Sequence, residues 1–145
     1  MNTTTTTIQH WEPKSFRKPR NKDEYRSFIE EFLTNQKPYL IQGFSLQDLS
    51  TYTGINIPTL SALINKEYGM NFNDFVNQYR VRYFKDLLAQ PEYHQWTLEA
   101  IAQKAGFNSR TTFIRAFTKF ADCSPSTYLK NVKMSIQMGL AQEYN

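Results

Sequence analysis

The chain has 145 residues, of which 40% are apolar, enough for one ordinary core or two very small ones and too short for a large multidomain enzyme. Seventeen Lys+Arg against 13 Asp+Glu give +4, a mild excess that permits a polyanionic partner without requiring one. A single cysteine, Cys123, excludes an internal disulfide and leaves too few thiolates for a zinc cage, and no stretch approaches the ~18 apolar residues of a membrane span. Together with a start, Met1 to Thr7, that has neither a basic nor an apolar signal region, this predicts a soluble, cytoplasmic protein.

Residues 1–20 read as a flexible basic arm or linker. Lys14, Arg17, Lys18 and Arg20 fall around Pro13 and Pro19, a spacing that opposes a helix and suits either a solvated tail or a phosphate-touching arm. Asn21 with Glu24 forms a capping-box pattern, and Tyr25, Phe28, Ile29, Phe32 and Leu33 give a helix over about 22–34, with a connector to 44. Ser45 with Asp48 starts a short helix that stops before Gly54, and Pro58 fits the first turn of the next, whose stripe is Leu60, Leu63 and Ile64. Asn71 opens a long helix within 71–90, through Phe72, Phe75, Val76, Tyr79, Tyr83, Phe84, Leu87 and Leu88, closed by Pro91. His94 follows in a predicted surface loop. Thr97 opens a helix ending at Gly106, and Asn108 or Ser109 caps the next, with Phe113, Phe117 and Phe120 inward. Ser124 before Pro125 opens a last short helix to about 130, leaving 131–145 as a tail. Sustained strand alternation is missing, so the predicted fold is all-α with about seven helices.

Two segments resemble each other. Leu46 to Ser50, then Thr53-Gly54-Ile55, then Thr59 to Ile64 match Leu98 to Ala102, then Ala105-Gly106-Phe107, then Thr112 to Phe117, with glycines 52 residues apart. Each is a short helix, a glycine turn and a second helix, with a small residue (Ser50, Ala102) where the helices cross. The predicted architecture is therefore two helix-turn-helix subdomains, 45–70 and 97–130, joined by the long helix. With the run from Ile101 to Phe120 and Ser124-Pro125-Ser126-Thr127-Tyr128, the chain from about Phe44 to Lys130 resembles the DNA-binding domain of AraC/XylS-family transcription regulators. Leu60-Ser61, Ile64-Asn65, Asn71-Phe72 and Phe75 to Arg80 look like the subtype common in Bacteroidetes-type bacteria.

The resemblance implies double-stranded DNA as partner, with RNA polymerase a candidate second one, and two recognition helices reaching successive major grooves, about 34 Å apart on straight DNA. In the second motif it points to Asn108, Ser109, Arg110, Thr111, Arg115 and Lys119, and arginine suits the task because its fork can grip a guanine edge with two hydrogen bonds. In the first motif the expected exposed positions are Ile57, Pro58, Thr59, Ser61, Ala62 and Asn65, without an arginine. Arg80 and Arg82 on the long helix are expected phosphate contacts, with an internal salt bridge the alternative for Arg80. Phe84 stands where the family's linker helix usually carries a small residue.

Charge follows the same division: seven positive and five negative side chains in 1–44, four of each in 45–90, six and four in 91–145. The second motif is thus expected to supply most base specificity, and the first shape and backbone contacts. No nucleophile elbow, phosphate-binding glycine loop or metal-ligand cluster is visible, so no enzyme activity, metal or cofactor is expected. The rival readings are a helical protein-interaction module that has lost DNA affinity, and the output domain of a longer sensor-regulator.

Overall fold

The computed structural model describes residues 19–139. The elements are α1 Lys22–Gln36, a 3-10 turn Pro38–Leu40, α2 Leu46–Thr53, α3 Ile57–Tyr68, α4 Phe72–Leu88, a 3-10 segment Pro91–Gln95, α5 Leu98–Lys104, α6 Arg110–Ala121 and α7 Pro125–Gln137. The described residues contain seven α-helices and no strand, as the patterning predicts. None of these helices is long and apolar enough to cross a membrane. The arm expected over 1–20 lies outside the described residues except for Pro19 and Arg20, and of the expected tail residues 140–145 lie outside them. Residues 131–137 are helical: α7 runs to Gln137 because Val132 continues its buried stripe beyond Leu129.

Every α-helix starts on an Asn, Ser or Thr whose side-chain oxygen accepts the amide N–H three residues on: Asn21, Ser45, Asn56, Asn71, Thr97, Ser109 and Ser124. Each such cap stabilises its helix by about 1 kcal/mol, which is why the boundaries fall there. Ser45 and Asp48 complete a reciprocal box, the Asp48 carboxylate accepting from the Ser45 amide at 2.9 Å. At α1 the Glu24 carboxylate accepts from the Arg20 amide, 2.7 Å away and one residue upstream of the box position.

The chain divides into two compact units between Phe75 and Val76, within α4. In the first, α1 buries Ile29, Phe32 and Leu33, α2 buries Leu49, and α3 buries Leu60, Leu63 and Ile64. Gly54 ends α2 in the left-handed region at φ 72°, a conformation that glycine takes without a Cβ clash, and the Ser50 hydroxyl donates to the Ile55 carbonyl across that turn at 2.6 Å. A polar clasp ties α1 to α3. The Tyr68 hydroxyl donates to Glu30 at 2.6 Å, Arg26 Nε pairs with the same carboxylate oxygen at 3.0 Å, and the Arg26 guanidinium lies 5.3 Å from the Tyr68 ring centre. Desolvation pushes the Glu30 carboxyl up, but the hydrogen bonds from Tyr68 and Arg26 outweigh it and hold the pKa below its ordinary 4.5.

The second unit is built on phenylalanine. Phe84 of α4, fully buried, packs 4.8 Å from the Phe113 ring and 5.4 Å from Phe117, both on α6, while Phe107 in the turn lies 5.3 Å from Phe113. Ala102, Ala105 and Ala116 share that cluster, so small residues on α5, the turn and α6 make the room that a large residue on α4 fills. Val81 joins it, a core position that the aromatic stripe of the sequence did not reveal, whereas Phe120, expected inward, is half-buried. The segment around His94 is 3-10 helix rather than loop, and His94 Nε2 donates to the Leu88 carbonyl at 2.7 Å, taking up one of the acceptors left at the end of α4.

Candidate nucleic-acid interface

In the second motif α5 leads through Ala105 and Gly106 into α6. Gly106 adopts φ 100°, and the Phe107 amide donates to the Ala102 carbonyl at 3.0 Å, folding the turn back onto α5 and burying the Phe107 ring. Ser109, not Asn108, is the cap: its Oγ accepts from the Thr112 amide at 3.1 Å and donates to Thr112 Oγ1 at 2.8 Å. With Phe113, Ala116 and Phe117 inward, Asn108, Ser109, Arg110, Thr111, Arg115 and Lys119 are all exposed along the start and outer side of α6. Thr112, Ile114 and Thr118 share that exposure. The Lys119 ammonium lies 5.8 Å from the Phe120 ring centre.

Arg110 has a tertiary partner. Its Nε lies 3.4 Å from Oε1 of Glu99, in the first turn of α5. The pair stands beside a notch of about 100 Å³ whose wall includes Gln103, Asn108 and Ser109 over a floor of Ala102, Phe107 and Phe113. Neither Glu99 nor Gln103 was singled out from the sequence, because the contact joins residues 11 apart through the turn.

The first motif presents a different surface. Asn56 caps α3, accepting from the Thr59 amide at 2.9 Å. Of the six positions expected to be exposed, Pro58, Ala62 and Asn65 are, whereas Ile57, Thr59 and Ser61 are half-buried. Asn65 Nδ2 donates to the Ser61 carbonyl on its own helix at 2.9 Å. The two arginines of α4 also differ from each other. Arg82 is exposed, with its guanidinium 5.4 Å from the Tyr79 ring centre. Arg80 is half-buried, donates to Asn77 Oδ1 at 3.1 Å and lies 5.8 Å from the Phe107 ring centre, so it braces α4 against the second turn. Burial lowers its pKa to about 10.

These features match a known domain. A profile describing a helix-turn-helix domain fits residues 49–131, more than half of the chain, from midway along α2 through the long helix and the second motif. The chain belongs to the AraC-type helix-turn-helix family. An uncharacterized HTH-type transcriptional regulator of Staphylococcus aureus strain MSSA476, SAS0078, is 29% identical over 115 residues, which is 76% of this chain and 15% of that protein. A solved structure from Listeria innocua, of unknown function, aligns with TM-score 0.61 and 32% identity, covering 72% of this chain and 94% of that one. The C-terminal domain of the two-component response regulator yesN from Fusobacterium nucleatum aligns with TM-score 0.60 and 26% identity, over 72% and 97% of the two chains. This AraC-type chain thus spans 15% of the S. aureus relative and nearly all of the two solved chains.

Proposed function

We propose that this chain binds double-stranded DNA as the output part of an AraC-type transcription regulator. In this reading α6 is the main reading helix, with Arg110, Thr111 and Arg115 toward base edges and Asn108, Ser109 and Lys119 toward the backbone. The observation that carries it is the outer side of α6, where long cationic and hydroxyl side chains stand exposed at the N-terminal end of a helix held by buried phenylalanines. A helix presented in this way suits a major groove, where its first residues come nearest the bases, and the amides at its start favour a phosphate.

The α3 surface, with Pro58, Ala62 and Asn65 outward, supports a lesser role. Its methyl and methylene groups suit thymine methyls and groove shape, while specificity that depends on arginine falls to α6. If each of α3 and α6 enters a major groove, the bound site spans two grooves about 34 Å apart. Arg82 is positioned in the open for a phosphate, whereas Arg80 serves packing.

Selection of bound duplexes from a random pool tests this reading, followed by titration of the selected site at several salt concentrations. A site of two half-elements, with affinity falling steeply with salt, is the expected result. Alanine at Arg110 or Arg115 is expected to weaken binding and relax preference at separate base pairs. Unchanged binding by both variants would refute the ranking of α6 over α3. The neutral outward face of α3 favours a second reading, a protein-interaction module, for which the expected result is no enrichment of any duplex.

A further inference from the structure

We propose that Glu99 is a positioning residue for DNA specificity: its carboxylate holds Nε of Arg110 so that the terminal nitrogens of the guanidinium face a guanine edge ahead of α6. The proposal rests on the DNA-binding reading above and adds to it a residue outside the recognition helix.

Helix stability does not account for an arginine at the first position of α6. That end carries the positive pole of the helix dipole and disfavours a cation, as well as already having Ser109 as its cap. Glu99, in contrast, sits in the first turn of α5, where its charge suits its own helix. The two side chains meet at 3.4 Å, although they are 71% and 50% exposed. A solvent-exposed ion pair of that kind adds little to folding, so its consequence lies in where it holds the guanidinium. Arginine carries five N–H donors on a planar fork. With Nε turned to the carboxylate, the two terminal nitrogens remain for a bidentate pair with guanine O6 and N7.

The geometry also sets a cost. A carboxylate on a DNA-facing surface repels phosphates, so Glu99 lowers affinity for any duplex while raising the difference between the right duplex and the wrong one. An unpaired Arg110 would swing among several rotamers and reach phosphates as readily as bases. The pair lines the same notch as Gln103, Asn108 and Ser109, which places it at the start of α6.

The test compares wild type with Glu99→Gln, Glu99→Asp, Arg110→Ala and Arg110→Lys, by random-duplex selection and by titration on specific and scrambled duplexes, with helix content checked by circular dichroism. Arg110→Ala identifies the base pair that Arg110 reads. At that pair, Glu99→Gln is expected to reduce the preference for guanine by roughly three- to tenfold, part of the discrimination that a bidentate contact supplies, while affinity for scrambled DNA rises. Glu99→Asp keeps the charge but falls short of Nε, so it should lose guanine preference like Glu99→Gln with a smaller rise in affinity for scrambled DNA. Arg110→Lys, which keeps a cation without a fork, should lose the preference and keep the salt dependence. If Glu99→Gln leaves the profile unchanged while Arg110→Ala alters it, or if Glu99→Asp matches wild type, the positioning role is overturned and the DNA reading stands. If Arg110→Ala changes neither profile nor affinity, the assignment of the α6 start to DNA fails and this proposal fails with it.

Discussion

Replacing Phe84 by alanine tests whether the second helix-turn-helix hangs on α4. The ring is 0% exposed and lies 4.8 Å and 5.4 Å from the two phenylalanines that orient α6. Around it Ala102, Ala105 and Ala116 are too short to move into the vacated space, so collapse is limited and a cost toward the upper part of the usual Phe→Ala range, about 4 kcal/mol, is expected. With a urea slope of about 1.5 kcal/mol/M, the midpoint falls by more than 2 M. Phe84→Leu, which keeps most of the volume, should cost about 1 to 1.5 kcal/mol. Trp96, in the same unit and 5.1 Å from the Tyr93 ring, is the fluorescent reporter, used in a Trp11→Phe background. Hydrogen exchange then locates the loss, with amides of α6 expected to exchange faster. A Phe84→Ala cost below about 1.5 kcal/mol at an unchanged slope would refute the claim that this ring is the centre of the unit, and would mean that the alanines do close around the gap.

Three further substitutions probe the clasp, the buried arginine and the cap. Tyr68→Phe removes the hydroxyl that donates to Glu30 and should cost about 1 kcal/mol in urea unfolding, at the low end for a charged acceptor because the Glu30 side chain is 41% exposed. Since the folded pKa of Glu30 lies below 4.5, its contribution is present above pH 4.5 and lost as the pH falls through the folded value, so the gap between wild type and Tyr68→Phe should shrink under acid. Arg80 is shifted the same way by a different cause, burial disfavouring its charged form: with its pKa lowered to about 10 in the fold, the unfolded chain binds the extra proton above that pH. Stability of wild type relative to Arg80→Met should therefore rise with pH above about 10, as read by urea midpoints at pH 9, 10.5 and 11. Ser109→Ala should lower stability by about 1 kcal/mol through loss of the cap, whereas Ser109→Asp should keep the thermal midpoint and weaken duplex binding, since it caps equally well but faces phosphate with a negative charge.

The sequence made the helices legible because their punctuation is local. An Asn, Ser or Thr accepts from the amide three residues on, and that spacing is visible without knowing any tertiary contact. Asn56 escaped because Pro58, two residues later, already accounted for a helix start, although both signals belong to the same first turn. The end of α7 escaped for the opposite reason. Lys130 and Lys133 interrupt the apolar run, and only Val132 and Ile136 together with Gly139 mark a helix that continues. The repeat likewise carried the fold, yet exposure on α3 did not follow from it. Ile57, Thr59 and Ser61 are half-buried, because being on the outer half of a helical wheel does not decide how closely a neighbouring element approaches.

What distinguishes the two motifs goes beyond net charge. On α3 the one long polar side chain among the exposed candidates, Asn65, turns back to its own helix through the Ser61 carbonyl, so reaching a base would first require breaking that bond. On α6 Arg115 is exposed, and Arg110 pairs with Glu99 of the preceding helix rather than with a group of its own. Arg80 and Arg82 make the same point on α4: two cations of equal formal charge, two residues apart, of which burial commits one to packing and leaves the other in the open. Counting cations along the chain assigns all of these the same electrostatic weight toward a polyanion. Their hydrogen-bond partners and exposure separate Arg80, which reinforces the fold, from Arg82, Arg110 and Arg115, whose side chains are exposed to a ligand.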